Sequence, residues 1–332
     1  MSVTHYLTAV LLFFCGIFAY AQSPVRRTPL SGASGQSTIS VRTELVVLPV
    51  SVTNTNGDFI AGLSVQNFRV YEDKLLQTVS SFQQQDTPVT VGLIVDHSRS
   101  MDPELPQVAA AVVAFARFSN PQDEMFVIDF NDTISVEMAD GKPFTSDAKV
   151  LERAVSAVSA RGRTALYDAI AEGLNHLQLG HLDKKALIIV SDGGDNASRH
   201  NYSQVLQMAR QSQAVIYAIG LADPYEEENP NVLRKLCKDT GGIAYFPDSR
   251  ENVTDISKQI ARDLRGQYTL GFSPDKTSID RSYKKIEVKV AASGRGKIRV
   301  RTRNGYFGSD EKSSATPYDT HAPHDLHGKD PS

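Results

Sequence analysis

One stretch constrains this chain more than any other: the apolar run Val91 to Val95, which ends in Asp96, Ser98 and Ser100. A strand without a polar face has to be covered on both sides, and sheets covered on both sides are the mostly parallel ones that carry helices on each face. The run therefore predicts a strand at the centre of an α/β core. Just past its end, the i, i+2, i+4 spacing lets one loop turn a carboxylate and two hydroxyls toward a common point. Carboxylate and hydroxyl oxygens are hard donors, suited to Mg²⁺, Mn²⁺ or Ca²⁺.

Two further oxygen donors stand in the contexts such a site needs. A second buried-strand pattern, Leu187 to Ser191, ends at Asp192, and Thr164 lies in a Gly-containing loop that opens an amphipathic helix. Strand-like runs at 124–130, 187–191, 215–219 and 243–246 alternate with helix-like segments at 105–118, 148–158, 165–177, 202–212, 232–238 and 253–265. That alternation predicts a doubly wound sheet, in which ligands collect at the carboxyl ends of the strands. Asp132 to Val136 reads as a short antiparallel edge hairpin, and Gly241-Gly242 as a helix stop.

Asp96, Ser98, Ser100, Thr164 and Asp192 together resemble the metal-ion-dependent adhesion site of von Willebrand factor type A domains, over about residues 88–265. The resemblance implies a Rossmann-like domain that holds Mg²⁺, with Mn²⁺ or Ca²⁺ possible, and leaves one coordination position for an acidic residue of a protein partner. It further implies that Ser98, Ser100 and Thr164 are the more direct ligands, with Asp96 and Asp192 acting partly through water. Read from the residues alone, Ser98, Ser100 and Thr164 could instead cap helices, and Asp192 could be a turn residue. Asp102 and Asp195 are nearby acids expected to be solvated, and His97 and Arg99 flank the site, expected as exposed loop side chains.

The flanks of this unit are β-rich but incomplete. Residues 45–52, 68–71 and 79–82 on one side, and 267–272, 283–290 and 297–303 on the other, show period-2 alternation between turn signals. Neither set is large enough to hide its own apolar faces. Together they predict a discontinuous β-sandwich, residues 38–86 plus 266–308, with the α/β domain inserted into it. Contacts such as Val50 or Val70 with Val288 or Val300 are its signature. The whole layout resembles the exported acidobacterial "VWFA-related" proteins, a likeness that implies no assigned biochemistry.

Before Gln22 the chain is almost wholly apolar from Tyr6 to Ala21, with Ala19 and Ala21 forming a small-x-small cleavage signal. The run is shorter than the roughly 20 residues that span a bilayer. It predicts a cleaved signal peptide, residues 1–21, hence an exported protein, periplasmic or secreted. Residues 22–37 read as a flexible leader and 309–332 as a disordered tail. With the signal removed, Cys237 is the only cysteine, so no internal disulfide forms, and its helical context predicts a buried thiol.

A net charge of −3 and the absence of a basic, aromatic-interleaved run in the central region give no support for a nucleic-acid partner. Lys297, Arg299, Arg301 and Arg303 alternate with less polar residues and are expected to form one charged, solvent-facing side that blunts an edge strand. The eight histidines are scattered, and none lies in a nucleophile elbow or a His-Glu-x-x-His helix. The reading that follows is a non-enzymatic, divalent-metal-dependent protein-binding module with adhesive character, able to associate with the envelope surface. The alternatives are an envelope scaffold whose metal only stiffens the loops and, more remotely, a metal-dependent hydrolase.

Overall fold

A computed structural model describes residues 45–308, apart from 85, 139–140, 222–228, 248–251, 275–281 and 293. The expected signal peptide, leader and tail lie outside the described residues.

The chain enters through β1 (Val46–Asn54), β2 (Phe68–Glu72), β3 (Leu75–Gln77) and β4 (Val79–Gln83). Asp73 and Lys74 join β2 to β3 with positive φ at both positions (45° and 73°), the backbone of a tight two-residue hairpin. The inserted unit follows, with strands β5 (Val89–Asp96), β6 (Glu124–Phe130), β7 (Ile134–Val136), β8 (Lys184–Ser191), β9 (Val215–Gly220) and β10 (Ala244–Tyr245). Its helices are α1 (Leu105–Phe118), α2 (Ala148–Ser156), α3 (Leu166–His176), α4 (Tyr202–Gln211), α5 (Pro230–Thr240) and α6 (Val253–Gly266). The chain then returns through β11 (Tyr268–Phe272), β12 (Tyr283–Val290), β13 (Ile298–Arg301) and β14 (Gly305–Phe307).

The inserted sheet runs β10-β9-β8-β5-β6-β7, parallel throughout except for the β6–β7 edge hairpin. All eight residues of β5 are buried, as an uninterrupted apolar run requires. Period 2 divides them between two cores. Val91, Leu93 and Val95 pack with Val108 and Phe115 of α1, Leu151 of α2 and Ile260 of α6. Ile94 packs on the other face with Leu166 and Ile170 of α3, Val205 of α4 and Leu233 of α5. β5 leads through α1 on one face to β6, while β8 lies on its other side and leads to α4 on the opposite face. The loops after β5 and β8 thus meet where the winding reverses, the crevice in which such sheets hold ligands.

The flanks pair as expected. One sheet is β13-β1-β11-β4 and the other β14-β12-β2-β3, so each contains strands from both ends of the chain. Val70 pairs with Val288 and Val52 with Val300. Leu48, Val50, Phe68, Val70, Leu270, Phe272, Ile286 and Val288 form the core between them. Tyr268 lies at its centre with Phe59, Phe68 and Phe82 at ring separations of 5.1–5.8 Å, and its buried hydroxyl donates to Ile60 O at 2.8 Å.

The basic strand departs from expectation. Arg301 reaches α6, its Nη2 within 2.8 Å of Asp263 Oδ2. Buried Arg303 donates to Arg210 O (2.7 Å) and Ser212 O (2.8 Å) at the end of α4, and to Gly305 O (2.9 Å). Only Lys297 and Arg299 of the four cations are exposed. The reason is tertiary: the side of the sandwich carrying β13 and the turn after it is covered by the inserted domain, so the cations there satisfy helix-end carbonyls and a buried carboxylate. Cys237 is buried and free, and burial pushes its thiol pKa up, as its helical context predicted. Among the described residues no helix is long and apolar enough to cross a membrane.

Candidate metal centre

Asp96 is the last residue of β5 and is fully buried. The strand delivers its carboxylate into the sheet end, where Ser98 N–H donates to Oδ1 (2.9 Å) and Ser191 Oγ–H to Oδ2 (2.7 Å). After Ser98, in extended backbone, a single 3-10 turn spans Arg99–Met101, anchored by the buried Met101 side chain. That turn brings Ser100 Oγ to 3.1 Å from Ser98 Oγ and 3.1 Å from Asp192 Oδ2, to which it donates. Asp192 begins the loop after β8, and its Oδ1 accepts from Gly194 N (2.8 Å). Gly193 lies at φ +86°, and a Cβ there would meet Asn229 O at 2.9 Å, so the turn demands glycine.

Thr164 is buried just before α3. Its N–H donates to Asn196 Oδ1 (2.9 Å), and its carbonyl accepts from Asn196 N (2.9 Å) and Ala197 N (3.0 Å). The structure thus joins Ser98, Ser100 and Asp192 through side chains and ties Asp96 to Ser98. Thr164 is pinned to the loop carrying Asp192 by its backbone, and its hydroxyl makes no hydrogen bond to the other four among the described residues.

The electrostatics are those of an uncompensated pair of acids. Burial pushes the Asp96 carboxyl up to about 6; hydrogen bonds from Ser98 and Ser191 pull the other way, and the Asp192 charge adds to the rise. Among the described residues neither Asp96 nor Asp192 has an ion-pair partner. Asp102 is exposed, and Asp195 is engaged by Tyr167 N (3.1 Å) and Ser198 Oγ (2.5 Å).

His97 corrects the expectation of an exposed flanking residue. The extended chain after β5 alternates it inward, where Nε2 contacts Val155 O at 3.1 Å and Nδ1 lies 3.0 Å from Asp129 Oδ1. Both side chains of that second contact are buried, 0% and 3% exposed, so the imidazole and the carboxylate face each other away from solvent. Burial lowers the His97 pKa, but Asp129 more than offsets it and leaves it raised. Arg99 is exposed as expected. Ser191, which donates to Asp96, is the side chain of this group that the motif missed. Its signal was present: a serine ending an otherwise apolar buried strand, which the Val95–Val190 register sets beside Asp96.

The model of the von Willebrand factor type A domain matches residues 90–259, slightly more than half the chain. The chain belongs to the von Willebrand factor type A domain family. Similar solved structures include the von Willebrand factor type A protein from Catenulispora acidiphila (14% identity, 81% of this chain and 74% of that one, TM-score 0.47). The manganese-loaded TRAP protein of Plasmodium vivax (13%, 71% and 97%, TM-score 0.43) is another. A third is an aerotolerance-related membrane protein from Bacteroides fragilis NCTC 9343 (15%, 53% and 98%, TM-score 0.43). No curated protein matches the chain.

The type A domain's donor set here fits a hard divalent cation. Two buried carboxylates without a counter-charge balance one such ion, and the hydroxyls that now satisfy one another and Asp192 are oxygens of the right hardness. Among the described residues no group of three or more His, Cys, Asp or Glu could hold a metal.

Proposed function

We propose that the chain is an exported protein-binding module whose grip on its partner depends on a divalent cation, Mg²⁺ first, with Mn²⁺ or Ca²⁺ as alternatives. The observation that carries this reading is the meeting of Asp96, Ser98, Ser100 and Asp192 in one hydrogen-bonded group, buried except at the half-buried Ser100, in which neither acid has an ion-pair partner among the described residues. Asp96, Ser98, Ser100, Thr164 and Asp192 would hold the ion, which when bound supplies an open position for a carboxylate of the partner. Type A domains commonly bind a divalent metal and mediate protein interactions, which supports the reading.

The chain's own part is to preorganise oxygens. Ser191 and Ser98 N–H fix the Asp96 carboxylate, and Gly194 N–H fixes Asp192, so neither acid has to be ordered when the ion arrives. The apolar run Tyr6–Ala21 supports export to the periplasm or medium. Affinity capture from the native envelope and medium, in Mg²⁺ and again with chelator, tests the reading. A partner retained by wild type in Mg²⁺, and lost both with chelator and with Asp96→Ala, supports it; capture indifferent to both sinks it.

A further inference from the structure

Leu75 and Leu76 are 68% and 61% exposed, more than any other large apolar side chain among the described residues. With Gln77 they form β3, the edge strand of the sheet β14-β12-β2-β3. The tight turn at Asp73 and Lys74 presents them on regular backbone rather than on a loose loop. Successive residues of a strand point to opposite faces, so the pair carries apolar surface on both sides of one edge. A single exposed leucine needs no explanation, whereas two adjacent ones on an open edge make a surface suited to association.

The face beside them is positively charged. Val70, Ile286 and Val288 point into the sandwich core, and the alternate residues of β2 and β12 face out. The register sets Tyr71 between Leu76 and Glu287, and Arg69 beside Lys289, whose ammonium stands 5.1 Å from the centre of the Tyr71 ring. Arg69, Lys74, Lys285 and Lys289 are all exposed. The exposed acids here are Asp73, whose Oδ1 accepts from Lys285 N (2.9 Å), and Glu287, 3.4 Å from Lys289 Nζ. Outside the described residues, the adjoining segment 275–281 carries two acids and two bases, which leaves the balance unchanged. The tail 309–332, which follows β14, carries five acids and two lysines and is therefore kept in the test.

We propose that the β2–β3 edge seats the protein on an anionic lipid bilayer. Leu75 and Leu76 enter the boundary between headgroups and acyl chains, and Arg69, Lys74, Lys285 and Lys289 meet lipid phosphates. A flat protein face would cover one of the two leucines, whereas a fluid phase entered edge-on covers both. β3, three residues long, also offers little to a pairing strand. Its open edge keeps backbone groups that need water or headgroup oxygens, so the hairpin rests at the interface and stays out of the hydrocarbon. Tyr71, an apolar ring with a polar tip, suits that depth. None of these residues belongs to the candidate metal centre, or to the junction beside β14 where Asn304 Nδ2 donates to Asp239 Oδ1 (3.0 Å), so the proposal is independent of metal binding.

The test uses the chain Gln22–Ser332, the form that signal cleavage leaves, in chelator, with vesicles of phosphatidylcholine alone or mixed with phosphatidylglycerol. Wild type is expected to sediment with the mixed vesicles. Partition falls more than about tenfold in the double variant Leu75→Ser, Leu76→Ser, and about tenfold in Lys74→Gln with Lys285→Gln. Leu179→Ser, at an exposed leucine of the inserted domain, stays at the wild-type level. The sequence holds no tryptophan, so Leu76→Trp supplies a single indole, whose emission shifts to the blue on the mixed vesicles and is quenched by brominated acyl chains. No binding of wild type to the mixed vesicles overturns the proposal. So does binding in which the double leucine variant partitions like wild type or the indole keeps its emission in water, since charge alone then adsorbs the protein. A wild-type dimer in sedimentation velocity that the double leucine variant dissociates assigns the edge to a second copy and overturns it as well.

Discussion

Ser100 is the side chain on which the two halves of the site meet, since its hydroxyl touches Ser98 Oγ and Asp192 Oδ2 at 3.1 Å each. It is only half-buried, so its removal leaves packing intact while taking one oxygen from the donor set. Ser100→Ala is expected to weaken Mn²⁺ binding about tenfold, roughly the worth of one charge-assisted contact, with little change in melting temperature. Calorimetric titration checks the first and a thermal melt the second. At this scale the spacing anticipated that Asp96, Ser98, Ser100 and Asp192 lie together, because a motif is a statement about side-chain chemistry at fixed spacing. Ser191 and His97 escaped it because their roles depend on which neighbour each faces. Ser191 meets Asp96 across a strand pair, and His97 turns inward on Asp129.

The helices and strands of the inserted unit were legible because each is amphipathic or wholly apolar over many residues. Their observed ends fall within about two residues of the pattern, the usual latitude of helix ends, except that β8 starts three residues earlier, at Lys184. The basic strand was misread for a physical reason: period 2 tells which residues share a face but not what covers that face. Here α6 covers Arg301, and the end of α4 takes Arg303. Asp263 is 96% buried and accepts from Arg301 and from Tyr217 Oη (2.5 Å), whose hydroxyl in turn accepts from Gln267 (3.0 Å) at the α6–β11 junction. Arg301→Ala strands that carboxylate and is expected to cost about 3–5 kcal/mol, the usual penalty for removing one partner of a buried pair. Chemical denaturation measures it, and Arg299→Ala, an exposed neighbour on the same strand, is the control expected within about 0.5 kcal/mol of wild type.

Across the whole molecule, the sandwich exists only because both ends of the chain contribute to each sheet, which was readable from two strand sets too small to stand alone. The docking of that sandwich on the inserted domain was not readable, since it runs through single side chains rather than through a pattern. Two buried acids mark opposite ends of β5: Asp96 at its last residue and Asp123, which accepts from Val89 N (2.8 Å) at its first. Burial pushes both carboxyls up to about 6, whereas in the unfolded chain they titrate near ~4. The folded state therefore holds protons that the unfolded state has released, and the stability this gives is complete below about pH 4 and lost as pH rises through about 6. In chelator, the melting temperature is expected to fall across that window, less steeply in Asp123→Asn, and Mn²⁺ at pH 7 to restore the share due to Asp96. A flat profile in chelator would contradict burial as the cause that holds both carboxyls up.

The most direct test of the central claim is calorimetric titration of Mn²⁺ into the full chain at neutral pH, wild type beside Asp96→Ala. The account predicts saturable uptake of a single ion by wild type, abolished by the substitution while the far-ultraviolet spectrum stays folded. No uptake by wild type, or uptake that Asp96→Ala leaves unchanged, would contradict it.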